Sequence, residues 1–205
     1  MTQLFQPRKT SHIADLIGDY PLAWVVSQGP GGHAASPLPL LAEAADDGTV
    51  RSLFGHFARS NPQVEVVARQ PEAMILFQGP QGYIPPRLVS RQGWGPTWNY
   101  AVVRFDVEIA LVPDENGAAL ARLAAALERD RPQPWRPDMM GARYDELAPR
   151  IIAFRATVRA THARFKLGQD EAADTFEEIV DGLGDGPLAR WMKKTAEENG
   201  GAGSA

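Results

Sequence analysis

The stretch 97-TWNYAVVRFDVEIALV-112 decides the fold. Val103, Phe105, Val107, Ile109 and Leu111 alternate with Arg104, Asp106, Glu108 and Ala110. That two-residue period marks a strand with one buried and one polar face. The segments before it are shorter. Residues 22-LAWVVS-27 read as a buried strand and 28-QGPGG-32 as a turn. The run 34-AASPLPLLAE-43 is extended, because a residue before proline is pushed away from helix. Pro39 has no N–H to donate, which places this strand at an edge or a bulge. The 45-ADDGT-49 turn leads into a strand over 50–56, and 73-AMILFQ-78 is a continuous apolar run suited to a covered strand. Short strands joined by tight turns, feeding one long alternating strand, predict a mainly β chain with flanking helices (α+β): an antiparallel barrel or sandwich. A βαβ rhythm and a GxGxxG loop are both missing, which argues against a doubly wound sheet.

Helical periods fill the remainder. Ile13, Leu16, Ile17 and Tyr20 form one stripe, which Thr10 or Ser11 can cap and Pro21 ends. A helix over 60–70 opens at Asn61 and Pro62, a good N-cap followed by a good first helical residue. Residues 114–128 carry Leu120, Leu123, Ala124 and Leu127 on one face. The linker 131-RPQPWRP-137 precedes a short helix over 138–148 and a strand over 149–158. Two C-terminal helices follow, one with Phe176, Ile179, Val180 and Leu183, the other opening at Pro187 with Leu188, Trp191, Met192 and Thr195. The expected organisation is a barrel domain with helical insertions over 1–165, a helical extension packed on it over 166–198, and a disordered tail over 199–205. The stretch 79-GPQGYIPPRLVSRQGWGP-96 reads as a long irregular loop, and loops of that length usually have a role.

The chain has 205 residues, a net charge of −4 and no cysteine. One domain needs no disulfide staple at this length, and thiolate metal sites and cysteine nucleophiles are excluded. No apolar run approaches the ~18–20 residues of a membrane span, and MTQLFQPRK has no apolar core behind it, so a cytoplasmic protein without a signal peptide is expected. The densest basic cluster is Arg155, Arg159, His162, Arg164 and Lys166, but the acidic total makes direct nucleic-acid binding an unfavoured reading. The four histidines are far apart, so no metal site is expected. HExxH, GxSxG and Walker motifs are absent, and no side chain reads as catalytic.

Two segments carry chemistry. In 54-FGHFARSNPQ-63 a strand ends, His56 and Arg59 follow, and a helix begins. Free N–H groups at a helix start, with an Arg fork beside them, suit a phosphate or carboxylate. In 77-FQGPQGYIPP-86 and 96-PTWNY-100, Tyr83, Trp98 and Tyr100 gather with Trp94 around a Gly/Pro-rich stretch. Such aromatics either line a pocket for a flat ligand or pack a loop.

The series PLPLL, GHxARxNPQ, FQGPxxYIxP and PTWNY, with a late KLGQ at 166–169, resembles the FMN-binding negative transcriptional regulator family, often called PaiB-like, from about residue 4 to about residue 170. The resemblance implies an antiparallel split β-barrel of the FMN-binding type, a homodimer, and FMN at the subunit interface. It places His56, Ala58 and Arg59 at the phosphate, with Asn61, Pro62 and Gln63 opening the adjoining helix. Leu38, Pro39 and Leu40 would flank the flavin ring, and Gln78, Tyr83, Trp98 and Tyr100 would line the same pocket. The chain departs from the family pattern at Pro37, where a histidine is usual, at Leu88-Val89, where Trp-Tyr is usual, and at KLGQD in place of KLSQN. The implied function is a flavin-dependent redox protein or a flavin-linked transcriptional regulator. The alternatives are a non-enzymatic negative regulator and a cofactor-free small-molecule-binding dimer; the expected ligand is a flavin or another phosphate-bearing small molecule.

Overall fold

A computed structural model of the chain describes residues 3–197. Its elements are α1 (Ser11–Asp19), β1 (Leu22–Gly29), β2 (Gly32–Pro39), β3 (Leu41–Ala44), β4 (Val50–Ala58), α2 (Gln63–Arg69), β5 (Glu72–Ile84), β6 (Thr97–Leu111), α3 (Asn116–Glu128), α4 (Ala142–Leu147), β7 (Ile151–Lys166), α5 (Ala173–Leu183) and α6 (Pro187–Glu197). The strands form one antiparallel sheet in the order β2-β1-β5-β6-β7-β4-β3. The tail over 199–205 lies outside the described residues. Among those residues, no helix is long and apolar enough to cross a membrane.

Contacts divide the chain into two compact units. The larger holds Thr10–Phe77 and Val103–His162; the other gathers Gln78–Val102 with what precedes Thr10 and follows His162.

In the larger unit, the sheet's two terminal strands are halves of one extended run. β2 pairs with β1, from Gly32 opposite Gly29 to Pro39 opposite Leu22, while β3 pairs with β4, Leu41 opposite Phe54. The turn between them is at Pro39–Leu40, where Leu40 N donates to Pro21 O at 2.9 Å. Pro37 and Pro39 therefore sit in a sheet-terminal strand, where a missing N–H costs least. Gly55 of β4 makes the corner possible. A Cβ there would lie 2.4 Å from Leu40 Cδ2 and 3.1 Å from Pro39 O. The core beneath contains Leu53, Phe57, Phe77, Phe105 and Phe154, all fully buried. Phe57 stacks tilted on Phe154 at 4.7 Å, and Phe77 meets Phe105 edge-on at 6.0 Å.

On the other face of β4, Phe54 packs with Ala119 of α3 and Ala153 of β7. Above its ring lie the guanidinium groups of Arg122 and Arg155, at 4.4 and 4.7 Å. Glu43 of β3 accepts from Arg122 at 2.8 Å and from Arg155 Nη1 at 2.7 Å, and from the Ser52 hydroxyl. Arg155 also grips Glu115 with two bonds, at 2.9 and 2.6 Å. Partial burial alone would raise the Glu43 carboxyl, but the bonds from Ser52, Arg155 and Arg122 outweigh it and hold the pKa at about 2. Hydrogen bonds from Arg155 likewise lower Glu115, and the two carboxylates raise Arg155.

The structure corrects several sequence expectations. β5 runs on to Ile84, so 79–84 is strand and not loop. Gly82 is small because a Cβ would lie 2.9 Å from Leu188 Cδ2, not because the chain turns there. The irregular part starts at Pro85 and is fastened: Ser90 N donates to Glu178 at 2.7 Å and Trp94 Nε1 to Glu171 at 3.0 Å. β7 continues to Lys166, eight residues past the predicted end. Thr10 makes no side-chain cap on α1. Leu127 is exposed, because α3 buries Ala119 and Leu123 and then runs past the core.

Two outcomes test this packing. Gly55→Ala forces Leu40 or the corner backbone to move and should lower the unfolding free energy by about 1–3 kcal/mol, whereas Gly31→Ala, with open space around it, should change it by less than about 0.5 kcal/mol. Equal chemical-denaturation midpoints for the two variants would contradict the close approach. Glu43 has a lowered folded-state pKa, so its contribution is complete above the ordinary carboxylate value of 4.5 and is lost as pH falls from there to about 2. Glu43→Gln should cost about 1–2 kcal/mol at neutral pH, a figure reduced for solvent access to the pair, and should flatten the stability–pH curve across that window. An unchanged acid slope in the variant would show that the network does not control it.

Candidate functional site

The end of β4 positions the first group of candidate residues. Strand alternation puts Gly55 and Phe57 on one face and His56 and Ala58 on the other. His56 stands opposite Ala153 and Ala58 opposite Ile151. The His56 ring is half-buried, and its Nδ1 is buried with no hydrogen-bond partner. Burial lowers its pKa from 6.5, which favours the neutral ring with one donor and one acceptor nitrogen.

Ala58 at the strand end and Arg59 just past it are exposed. The Arg59 backbone N donates to Arg150 O at 2.8 Å and its Nε to Pro149 O at 2.9 Å. Both bonds fix the side chain's root and leave the two terminal NH2 groups of the fork for a ligand. Asn61 closes the helix start. Its Oδ1 accepts from Gln63 N at 2.9 Å, its backbone O accepts from Val64 N at 3.0 Å, and its Nδ2 donates to Ser36 Oγ at 2.8 Å. The Gln63 and Val64 N–H groups at this helix start are therefore already taken, and α2 is only seven residues long. Anion attraction here rests on Arg59.

Gln63 is buried and acts as an anchor. Its Nε2 donates to Val25 O and Ser27 Oγ, both at 3.0 Å, tying α2 to β1, while its Oε1 is buried and unpartnered. Leu38 and Pro39 are half-buried on β2, opposite Ala23 and Leu22, and Leu40 is wholly in the core corner. The structure thus brings together His56, Ala58, Arg59, Asn61 and Gln63, and assigns Leu40 to packing.

The second group lies in the other unit. Tyr83 and Trp98 are each about half exposed, with ring centroids 6.0 Å apart. Trp98 Nε1 donates to Gln81 Oε1 at 2.8 Å, and Gln78 is exposed. Tyr100 Oη accepts from Arg164 Nε at 2.9 Å, and the Arg164 guanidinium covers the Phe5 ring at 4.6 Å. Sequence reasoning missed Asn99, Arg164 and Lys166 here. Asn99 is buried, with Nδ2 against Met192 Sδ at 3.7 Å and Oδ1 unpartnered. Lys166 Nζ donates to Thr97 Oγ1 at 2.6 Å, and Gln169 closes its own turn by bonding Leu167 N at 2.7 Å and Phe165 O at 2.6 Å. Asn99 lies in PTWNY, Lys166 in KLGQ and Arg164 in the basic cluster before it, but only the pairing of β6 with β7 shows that they meet.

Residues 1–160 match the family model described as "Putative FMN-binding domain". The chain is 27% identical over 205 residues to the protease synthase and sporulation protein PAI 2 of Bacillus subtilis, covering 95% of this chain and 94% of that one. It is 28% identical over 200 residues to an uncharacterised Aspergillus fumigatus protein, covering 77% and 76%. Among solved structures it superposes on the FAD and heme binding protein of Mycobacterium smegmatis with a TM-score of 0.58 at 16% identity, over 83% of this chain and 77% of that one. A conserved hypothetical protein of Mycobacterium tuberculosis gives 0.57 at 12% identity, over 81% and 89%. These likenesses establish a split-barrel fold, and with 160 matched residues the chain belongs to the FMN-binding domain family.

Proposed function

We propose that the chain holds FMN by its phosphate at the loop 56–61 and works as a flavin-linked redox protein. The observation that carries this is the Arg59 side chain, pinned at Nε to Pro149 O so that the rest of its fork is available. A phosphate dianion accepts two parallel bonds from such a fork. The buried, unpartnered Nδ1 of His56 on the adjoining strand is a second polar group that a bound ligand or water would satisfy. When bound, FMN supplies the electron chemistry. The protein's side chains bind, orient and shield it; His56, neutral through burial, serves as a hydrogen-bond partner and not as a charged acid. Tyr83 and Trp98 offer flat exposed faces for a ring system or a second subunit.

The homodimer is part of the same proposal. On the outer face of β1, Leu22 and Trp24 are 61% and 49% exposed. Their registered neighbours are Pro39 and Pro37 on β2, and Leu76 on β5 lies opposite Trp24. This apolar sheet face suits a second copy of itself across a two-fold axis. Control of gene expression is the second reading, suggested by the family resemblance. It would run through a protein partner, because the arginines of β7 that face carboxylates are engaged within the fold: Arg155 with Glu43 and Glu115, Arg159 with Glu108.

Arg59→Ala should weaken FMN binding about 10- to 150-fold, the equivalent of a charge-assisted bond of roughly 1.5–3 kcal/mol. Riboflavin, which lacks the phosphate, should bind the variant as it binds the wild type, and Arg59→Lys should recover part of the FMN affinity. Flavin-fluorescence titrations with both ligands decide it: equal losses for FMN and riboflavin would mean that Arg59 only supports the loop. For the dimer, light scattering should give twice the chain mass for the wild type at micromolar concentration and a monomer for Trp24→Glu, with the far-UV spectrum retained. A monomeric wild type would remove the dimer from the proposal.

A further inference from the structure

The C-terminal half of α3, the proline-rich segment behind it and α4 line an open cleft of about 680 Å³. None of the residues assigned to the flavin lines it. Its volume lies within the roughly 300–1,000 Å³ of small-molecule sites.

The walls are flat and apolar. Ala121, Ala124 and Ala125 stand at i, i+3 and i+4 on one face of α3, so the floor is methyl groups alone. Pro134 and Pro137 restrict the facing backbone. Trp135 and Tyr144 add two aromatic surfaces, and Trp135 is 43% exposed despite its size. The lining segment is fastened: Trp135 N donates to Glu128 Oε2 at 3.1 Å, and Tyr144 N to Gly141 O at 3.0 Å.

Three charged side chains reach the cleft: Arg129, Arg136 and Asp138. Arg136 Nε donates to Asp138 Oδ1 at 3.3 Å, so these two offset one another. The nearest acid to Arg129 is Asp130, outside the lining, at 3.7 Å between two largely exposed groups, an arrangement that contributes little. The cleft thus presents one net positive charge at the edge of a flat apolar slot. We infer that it binds a flat aromatic carboxylate, with the ring against Trp135 and the alanine floor and the carboxylate on Arg129.

The test is calorimetric titration of the full chain with 2-naphthoate and its neutral counterpart 2-naphthalenemethanol. Naphthoate should bind with a sub-millimolar Kd and at least about tenfold more tightly than the alcohol, the discrimination of one charge-assisted contact. Arg129→Gln should remove that preference and leave the alcohol's affinity unchanged. Ala124→Leu, which fills the floor, should weaken both ligands. FMN binding should be the same in both variants, so failure here and failure of the flavin reading are separable. Absence of binding, equal affinities for the two probes, or retained preference in Arg129→Gln would each overturn the assignment. So would naphthoate binding that weakens in Arg59→Ala, which would put the probe at the flavin's phosphate contact. If Ala124→Leu does not fold, the Arg129→Gln comparison decides, because that side chain is exposed and carries no packing.

Discussion

Leu40 occupies the space where any side chain at position 55 would begin. The bend of the 32–44 run depends on this close approach. With the bend, the first half of the run pairs with β1 and the second with β4, so the two ends of the strand order are joined covalently through the single residue Leu40. A larger residue at 55 would push the corner outward and separate β3 from β4. The same strand carries His56 one residue later and ends at Ala58, just before Arg59. The corner that closes the barrel therefore also sets the direction of the candidate site's first side chain, since alternation gives the inner face to Gly55 and Phe57 and the opposite face to His56.

This splits the motif 55-GHFARSNPQ-63 by physical role. Gly55 supplies space, Phe57 fills the core, Asn61 caps α2 and Gln63 anchors it to β1. The His56 ring, the Arg59 fork and the buried Gln63 Oε1 retain hydrogen-bonding capacity that the fold does not consume. A motif that reads as one ligand-binding signature is mostly scaffold that holds a few polar groups in place.

The fold was legible where one physical cue dominated. β6 has an unbroken two-residue alternation, and β1, β4 and the two C-terminal helices were read close to their observed bounds. β5 was cut short because Gly79, Pro80 and Gly82 look like breakers; whether a glycine turns the chain or admits a neighbour such as Leu188 depends on a contact more than a hundred residues away in sequence. The distal half of β7, 159-RATHARFK-166, has too few large apolar residues to announce a strand and is held by pairing in the sheet. At the site, the exposed cation in a loop was readable. The burial of Gln63 was not, because its acceptors lie on a strand 36 to 38 residues earlier.

Charge pairing decides which cations are available to a ligand. The densest basic stretch in the sequence is β7, yet Arg155 meets two carboxylates, Arg159 one, Arg164 a phenol and a ring, and Lys166 a hydroxyl with Asp170 3.7 Å away. The Arg155 and Arg159 charges are largely neutralised where they stand, and an incoming phosphate would have to displace a carboxylate that is already in place. Arg164 keeps its charge, with its Nε on a phenol and its face on a ring. Arg59 is both exposed and without a carboxylate partner. Its side chain is held by a neutral carbonyl, and among the described residues no carboxylate lies within ion-pair distance of it. A carbonyl orients a guanidinium without cancelling its charge, so the charge remains for an anion to satisfy. Local density of basic residues is therefore a poor guide in this chain, and the identity of each cation's partner is the better one.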